Sequence, residues 1–509
     1  MRCLILKCIK KTNHPEQTQR LGVWLVVAFI CSVLIFCFKD GISGNDFWWH
    51  VKVGEYICQT HTVPTQDIFS WIGTEYGIQW TAHEWLADVV FYGIYAFLGE
   101  AGIYLLSVLM AGGLLAWMMV EFRQYFSRNL LICGVYFSLL AVVFSLFFYG
   151  RPHVFSYFFL FIELKLLFRF ADNPFSKGIY WIPVLTVLWS NLHGGSSNLS
   201  YLLCLVFLAC GICGFSWERL ESARYSRGQA LKLGLVTLTT AGAVFVNPVG
   251  WRVFLYPYQS FGDALSMQMI SEWQPPDAKS IGNLLLYFLP IALMTILVMT
   301  SKKPIRLVDL AVMGVFLLLF FRSARFIILW YIATPFYAFS YVPHSPLKPI
   351  TKIVEKIVVV AAICALVGIT CYGGIRTGIT AGEKPISVVL EDDMIAVIRE
   401  DAPQRLFNDY NAGESLIFND IPVFFDARAD LYAQEHIMED GISLMFLEQT
   451  RTDSELGSFR ADTLIQQYDF DGFLILKSRP LYVYLAERSD EYECIYQDDI
   501  AAYFKLITL

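Results

Sequence analysis

Two short runs, Gly44-Asn45-Asp46-Phe47-Trp48-Trp49-His50 and Trp80-Thr81-Ala82-His83-Glu84-Trp85-Leu86, gather carboxylates, imidazoles and indoles. His61, Pro64, Asp67 and Ser70 lie between them, and Lys39 and Lys52 are the only cations from 39 to 101. These residue types suit a site that holds a sugar on aromatic faces and moves a proton with an acid. Asp46 heads the candidates. It follows the first apolar span, where partial desolvation raises a carboxyl pKa and makes it a better base. Glu84 is the second acid. Each has a structural alternative: Asp46 can cap a short helix that starts at Phe47, and Glu84 can cap or charge the helix that starts at Trp85. Trp48, Trp49 and Trp80 can stack on a sugar, or the first two can form an interfacial belt. Asp67 reads as a turn residue.

Groups that suit an anion follow. Arg151-Pro152-His153 and Asn191-Leu192-His193-Gly194-Gly195 read as tight turns between apolar spans. Arg151 and His153 fit a phosphate. Glycines beside His193 permit close backbone approach. Arg322 and Arg325 are three apart and predict a shared helical face, with snorkelling to the interface as the alternative. His50 and His83 complete the polar set.

The elements that must position these groups are membrane helices. Of 509 residues, 56% are hydrophobic and 16% charged, a balance that points to a polytopic membrane protein. The net charge of −7 does not suggest nucleic acid. Apolar spans are read near 21–38, 102–120, 130–148, 153–170, 179–190, 199–215, 230–246, 282–300, 306–321, 324–341 and 353–372, and 84–98 is a further candidate. Cations decide the topology. If 84–98 does not cross, one side receives Lys7, Lys10, Lys11, Arg20, Arg123, Arg128, Arg169, Lys177, Arg219, Arg224, Arg227, Lys302, Lys303, Arg306, Lys348, Lys352 and Lys356. The expectation is about eleven transmembrane helices, with the N-terminal segment 1–20 in the cytoplasm and the large loop 39–101 outside. Six of eight histidines then share the outer side with Asp46, Glu84, Arg151, Glu272, Arg322 and Arg325. The N-terminal cations resemble a signal peptide's start, but no small-residue cleavage site follows, so a retained anchor is expected.

Beyond the membrane domain 21–372 the composition becomes polar. Residues 373–509 read as an extracytoplasmic α/β domain. Strands are expected at Arg405–Phe407, Pro422–Asp426 and Phe473–Leu476, with helices near 429–449, 460–469 and 480–488. Cys210-x-x-Cys213 lies in an apolar span with no His or acid nearby, so it reads as packing. No phosphate-binding glycine loop, dinucleotide fingerprint or H-E-x-x-H motif occurs. An enzyme here would draw an activated substrate from the membrane.

Asp46-x-x-Trp49-His50, Val63-Pro64, Asp67, Ser70, Trp80 and His83-Glu84-Trp85-Leu86 resemble the first outer loop of bacterial polytopic proteins of the GT-C glycosyltransferase superfamily. So do Arg151-Pro152, Trp189-x-Asn191-x-His193-Gly194, Asn247-Pro248-x-Gly250, Glu272-Trp273, Asn408-x-Tyr410-x-x-Gly413 and Asp426-x-Arg428-x-Asp430. The resemblance covers most of the chain. It implies a sugar moved from a polyprenyl-phosphate carrier to a glycan, lipid or protein acceptor on the outer side of a bacterial plasma membrane, among membrane lipids. It implies Asp46 as general base in an inverting displacement, and Arg151, His153, His193, Arg322 and Arg325 around the phosphate. Members of that superfamily often carry a close pair of acids. Here Phe47-Trp48 follows Asp46, so the site residues imply no metal, and a divalent cation stays an open alternative. A lipid-glycan flippase and a non-catalytic envelope scaffold are the rival readings. No internal repeat supports a transporter.

Overall fold

The computed structural model describes Val27 and residues 46–126, 129–148, 150–260, 271–344, 390–433, 436–448 and 461–507. The expected span 21–38 apart from Val27, the span 353–372 and the exit at Gly373-Gly374 lie outside the described residues. Helices stand at each of the nine apolar stretches read between 102 and 341. Four described helices are long and apolar enough to cross a membrane: Trp85–Glu121, Leu130–Phe147, Gly194–Cys213 and Ile281–Thr300. Their outward faces keep large apolar residues exposed, such as Leu109, Leu146, Leu205 and Ile296, as a lipid-facing surface requires. Their inward faces share one core with the helices His153–Asp172, Leu307–Arg322 and Ile327–Ala338. The chain is an integral membrane protein built mainly of helices.

The uncertain stretch 84–98 is the first part of the 37-residue Trp85–Glu121 helix. Gly99 breaks it, with φ +61° and ψ −155°, a conformation open in practice only to glycine. The part before the break packs on the Phe47–Thr60 helix, through Phe47, Val51, Ala87 and Phe91. The part after it joins the membrane core through Ala111, Leu114, Leu115 and Met118. One continuous element therefore ties the Phe47–Thr60 helix to the bundle.

The C-terminal region forms a four-stranded mixed sheet. Leu406–Asn408 pairs in parallel with Gly472–Leu476, which pairs antiparallel with Ala501–Leu506, which in turn pairs with Tyr492–Gln497. The central strand is buried at every position, in keeping with its unbroken apolar run. Three details depart from the sequence reading. Pro422–Asp426 is no sheet strand: Val423 makes an isolated bridge to Ser70, with Trp71 N–H donating to Val423 O at 3.0 Å. Its apolar residues Val423, Phe424 and Phe425 are buried because this segment seals the domain onto the segment around Ser70 and Trp71. The helix expected over 429–449 is two, Ala429–Tyr432 and Ile437–Phe446, with His436 at φ +59° before the second. The hairpin 492–506 and the helix Asp392–Asp401 were not read at all. Tyr492–Gln497 is a sheet edge, so most of its side chains face water and no apolar run marks it.

A buried cation fastens the seam. Arg428 donates to Asp67 Oδ1 at 2.8 Å and to both oxygens of Asp426, at 2.9 and 2.6 Å. All three side chains are almost fully buried. Asp67 also accepts from the N–H groups of Phe69 and Ser70, so it is the turn residue the sequence suggested.

Candidate active site

Helix ends supply the polar groups. Asp46 precedes the Phe47–Thr60 helix, Glu84 precedes Trp85–Glu121, and Arg151 lies just before His153–Asp172. His193 separates Ile182–Leu192 from Gly194–Cys213, while Glu272 and Arg325 sit in the single turns Ser271–Trp273 and Ala324–Phe326. These ends meet around one cavity of about 580 Å³, a size suited to a small ligand. The C-terminal domain closes it with Tyr410, Asn411, Arg428 and Asp430.

Backbone demands explain two of these placements. His193 has φ −158°, which ends one helix and starts the next. Gly194 N–H then donates to His83 O at 2.9 Å. A Cβ on Gly194 would come within 2.6 Å of Val253 and 3.1 Å of that carbonyl, so only glycine lets the turn approach His83. Trp85 Nε1 donates to Asn191 Oδ1 at 2.9 Å, locking the Glu84 end of its helix to the same turn.

The acids are not caps. Asp46 and Glu84 occupy N-cap positions, yet neither side chain accepts a capping hydrogen bond. Asp46 Oδ2 instead lies 2.7 Å from Arg151 Nε, a charge contact without hydrogen-bond alignment. Arg151 also donates to Glu272 Oε1 at 3.2 Å. The guanidinium of Arg325 stacks 5.1 Å from the Trp273 ring. Burial raises the Asp46 pKa, and Arg151 pulls it back in part. Burial also pushes Glu272 up, but Arg151 and Arg325 outweigh it and hold the carboxyl below its usual range. A guanidinium thus stands beside Asp46 where a dication would have to sit. The Asp46 set does not fit a resident metal.

The second half of the site is imidazole-rich. Glu84 Oε1 is 3.3 Å from His193 Nε2 and 3.8 Å from His83 Nε2, and Glu84 Oε2 is 4.0 Å from His50 Nε2. Burial lifts the Glu84 pKa to about 8, with the Asp46 charge adding to it. Burial lowers His83 to about 4 and puts His50 and His193 well below their usual value, so all three rings are neutral at pH 7. His153 Nε2 donates to Phe147 O at 2.7 Å.

Asp46, Glu84, His50, His83, Arg151, His153, His193, Arg325, Trp49 and Trp80 all line the cavity. Trp48 and Arg322 do not. Trp48 packs among Phe47, Tyr95 and Phe418. Arg322 ends the Leu307–Arg322 helix and is exposed, because extended Ser323 (φ −156°) breaks the helix before Arg325. The shared helical face read from their spacing therefore does not exist. Asn198 begins a glycosylation sequon, but it is 5% exposed inside a helix and donates to Phe254 O at 2.8 Å. Sequence reasoning gave no role to Glu272, Asp430 or Tyr256. Glu272 and Asp430 stood in noted motifs, whereas nothing near Tyr256 marked it.

No protein-family model and no curated protein sequence matches the chain. The fold resembles a solved one: the apo crystal structure of the Archaeoglobus fulgidus oligosaccharyltransferase superposes with a TM-score of 0.51. The match has 10% identity and covers 89% of this chain and 69% of that one. It shows that the two chains share a fold.

Proposed function

We propose that the chain is a membrane glycosyltransferase. It moves one sugar from a polyprenyl-phosphate carrier to a glycan, lipid or protein acceptor on the outer face of a bacterial plasma membrane. The observation that carries this reading is Asp46: an acid at a helix start that leaves its capping duty unmet and faces the cavity beside two guanidinium groups. The GT-C-like fold supports it. Two buried polar atoms on the cavity wall also lack a protein partner, the donor Trp49 Nε1 and the acceptor Asn198 Oδ1. A sugar hydroxyl both donates and accepts, so one ligand class answers both.

Asp46 takes the proton of the acceptor hydroxyl as its oxygen bonds to the anomeric carbon. The bond from that carbon to the phosphate oxygen breaks on the opposite side, through an oxocarbenium-like state, and configuration inverts. The lipid phosphate leaves with the bonding electrons. Arg151 and Arg325 stabilise its growing charge in a site shielded from bulk water. His153 and His193 line the same cavity, and a neutral His193 adds no countercharge. Trp49 and Trp80 supply the aromatic walls, the latter held 4.8 Å from the Arg428 guanidinium. Purified protein with a radiolabelled polyprenyl-phosphate sugar and envelope acceptors tests this directly. Release of lipid phosphate with label in the acceptor is expected. Label that crosses the bilayer still bound to lipid would make the protein a flippase.

A further inference from the structure

We propose that His83, Glu84 and His193 bind a transition-metal dication of the zinc class, at a site separate from Asp46 and independent of the proposed transfer reaction. The ligand atoms of the three residues all lie within 4.8 Å of one another. Zinc bonds of about 2.0–2.2 Å set tetrahedral edges of roughly 3.4 Å. The His193 Nε2 to Glu84 Oε1 distance of 3.3 Å already has that length, and His83 Nε2 to Glu84 Oε1 is 3.8 Å.

The far side of each ring supports the assignment. His83 Nδ1 lies 3.0 Å from Thr81 O, which can only accept, so the proton sits on Nδ1 and Nε2 offers a lone pair. That lone pair faces Glu84 Oε1, and either a proton or a cation must stand between them. The His83 ring cannot readily swing away, because Tyr256 packs on it with centroids 3.8 Å apart. His193 Nδ1 bonds Ser156 Oγ at 2.6 Å, and that hydroxyl accepts from Trp189 Nε1 at 2.7 Å. Both rings are anchored through Nδ1, and His193 Nε2 can ligate when Ser156 Oγ accepts from Nδ1–H, the arrangement that orients metal-bound histidines. One proton on Glu84 joins it to a single imidazole, whereas a dication would meet all three ligand atoms.

Two imidazoles and one carboxylate select zinc, cobalt or a similar ion over magnesium. Three protein ligands also leave a fourth position on the cavity side, the pattern of sites that take water or a ligand oxygen. The ion would clasp the His83-Glu84 segment to the His193 turn.

The test uses the full chain in detergent, stripped with a chelator and re-equilibrated with Zn²⁺, Co²⁺ or Mg²⁺. About one Zn²⁺ per chain by elemental analysis is expected, together with the visible absorption of four-coordinate Co²⁺ and no saturable Mg²⁺. His83→Gln and His193→Gln should each weaken Zn²⁺ binding at least 10-fold, and Asp46→Asn should leave it unchanged. Thermal stability of the wild-type chain should rise on Zn²⁺ addition, a reading that survives if a variant misfolds. Substoichiometric Zn²⁺ with no thermal shift in the wild type overturns the proposal. So does binding that persists without both histidines, or that disappears in Asp46→Asn. None of these readings needs transferase activity.

Discussion

Asp46→Asn separates catalysis from support. The substitution keeps the size of the side chain and removes its capacity to accept a proton. No capping hydrogen bond is lost, because Asp46 makes none. The charge contact with Arg151 weakens, but Arg151 keeps Glu272 at 3.2 Å, so the guanidinium is not stranded. Burial raises the Asp46 pKa against the pull of Arg151, so the site as a whole does not favour its charge and losing that charge costs little. Stability should therefore fall by no more than about 1 kcal/mol. Turnover should fall at least about 10²-fold, the usual scale of acid–base assistance and roughly 2.7 kcal/mol of barrier. The assay pairs initial rates of transfer from a radiolabelled polyprenyl-phosphate sugar with thermal unfolding in the same detergent. A variant that keeps more than half of wild-type turnover refutes Asp46 as the base. A silent Asp46→Asn beside an inactive Glu84→Gln would move that role to Glu84.

Arg325→Ala should weaken donor use with normal protein level, whereas Arg322→Ala should be nearly silent, and donor-concentration dependence of the rate compares them. Arg325→Lys should rescue only partly, since an ammonium lacks the planar fork and the stack on Trp273. Arg428→Met should cost about 3–5 kcal/mol, because it leaves Asp67 and Asp426 buried without their cation; thermal unfolding and protease sensitivity of the outer domain read this, and an unchanged midpoint would refute the role of the seam. In a background with other exposed cysteines replaced, a membrane-impermeant thiol reagent applied outside should label Ser478→Cys and spare Ser226→Cys. The reverse pattern would place Asp46 and its partners on the cytoplasmic side.

What the sequence determined is mostly one-dimensional. Apolar length marked the helices between 102 and 341, since lipid forces a spanning segment to satisfy its own backbone. Residue type marked most of the cavity wall, because charged and imidazole groups at span ends are costly without a use. The central strand Gly472–Leu476 was legible as a short apolar run. Tertiary structure decided the rest. Only packing showed that Asp46 turns from its cap position to Arg151, a residue 105 positions away, while Glu84 turns to His193. Only packing showed that Pro422–Asp426 is apolar because it seals a seam, and that Ser323 sends Arg322 and Arg325 to different surroundings. Spacing gives the faces of an unbroken helix, and a single extended residue cancels it. Whether an acid at a helix start caps its own backbone or serves a site depends on which distant charge reaches it first. That choice is made by how the helix ends converge, and no local pattern encodes it.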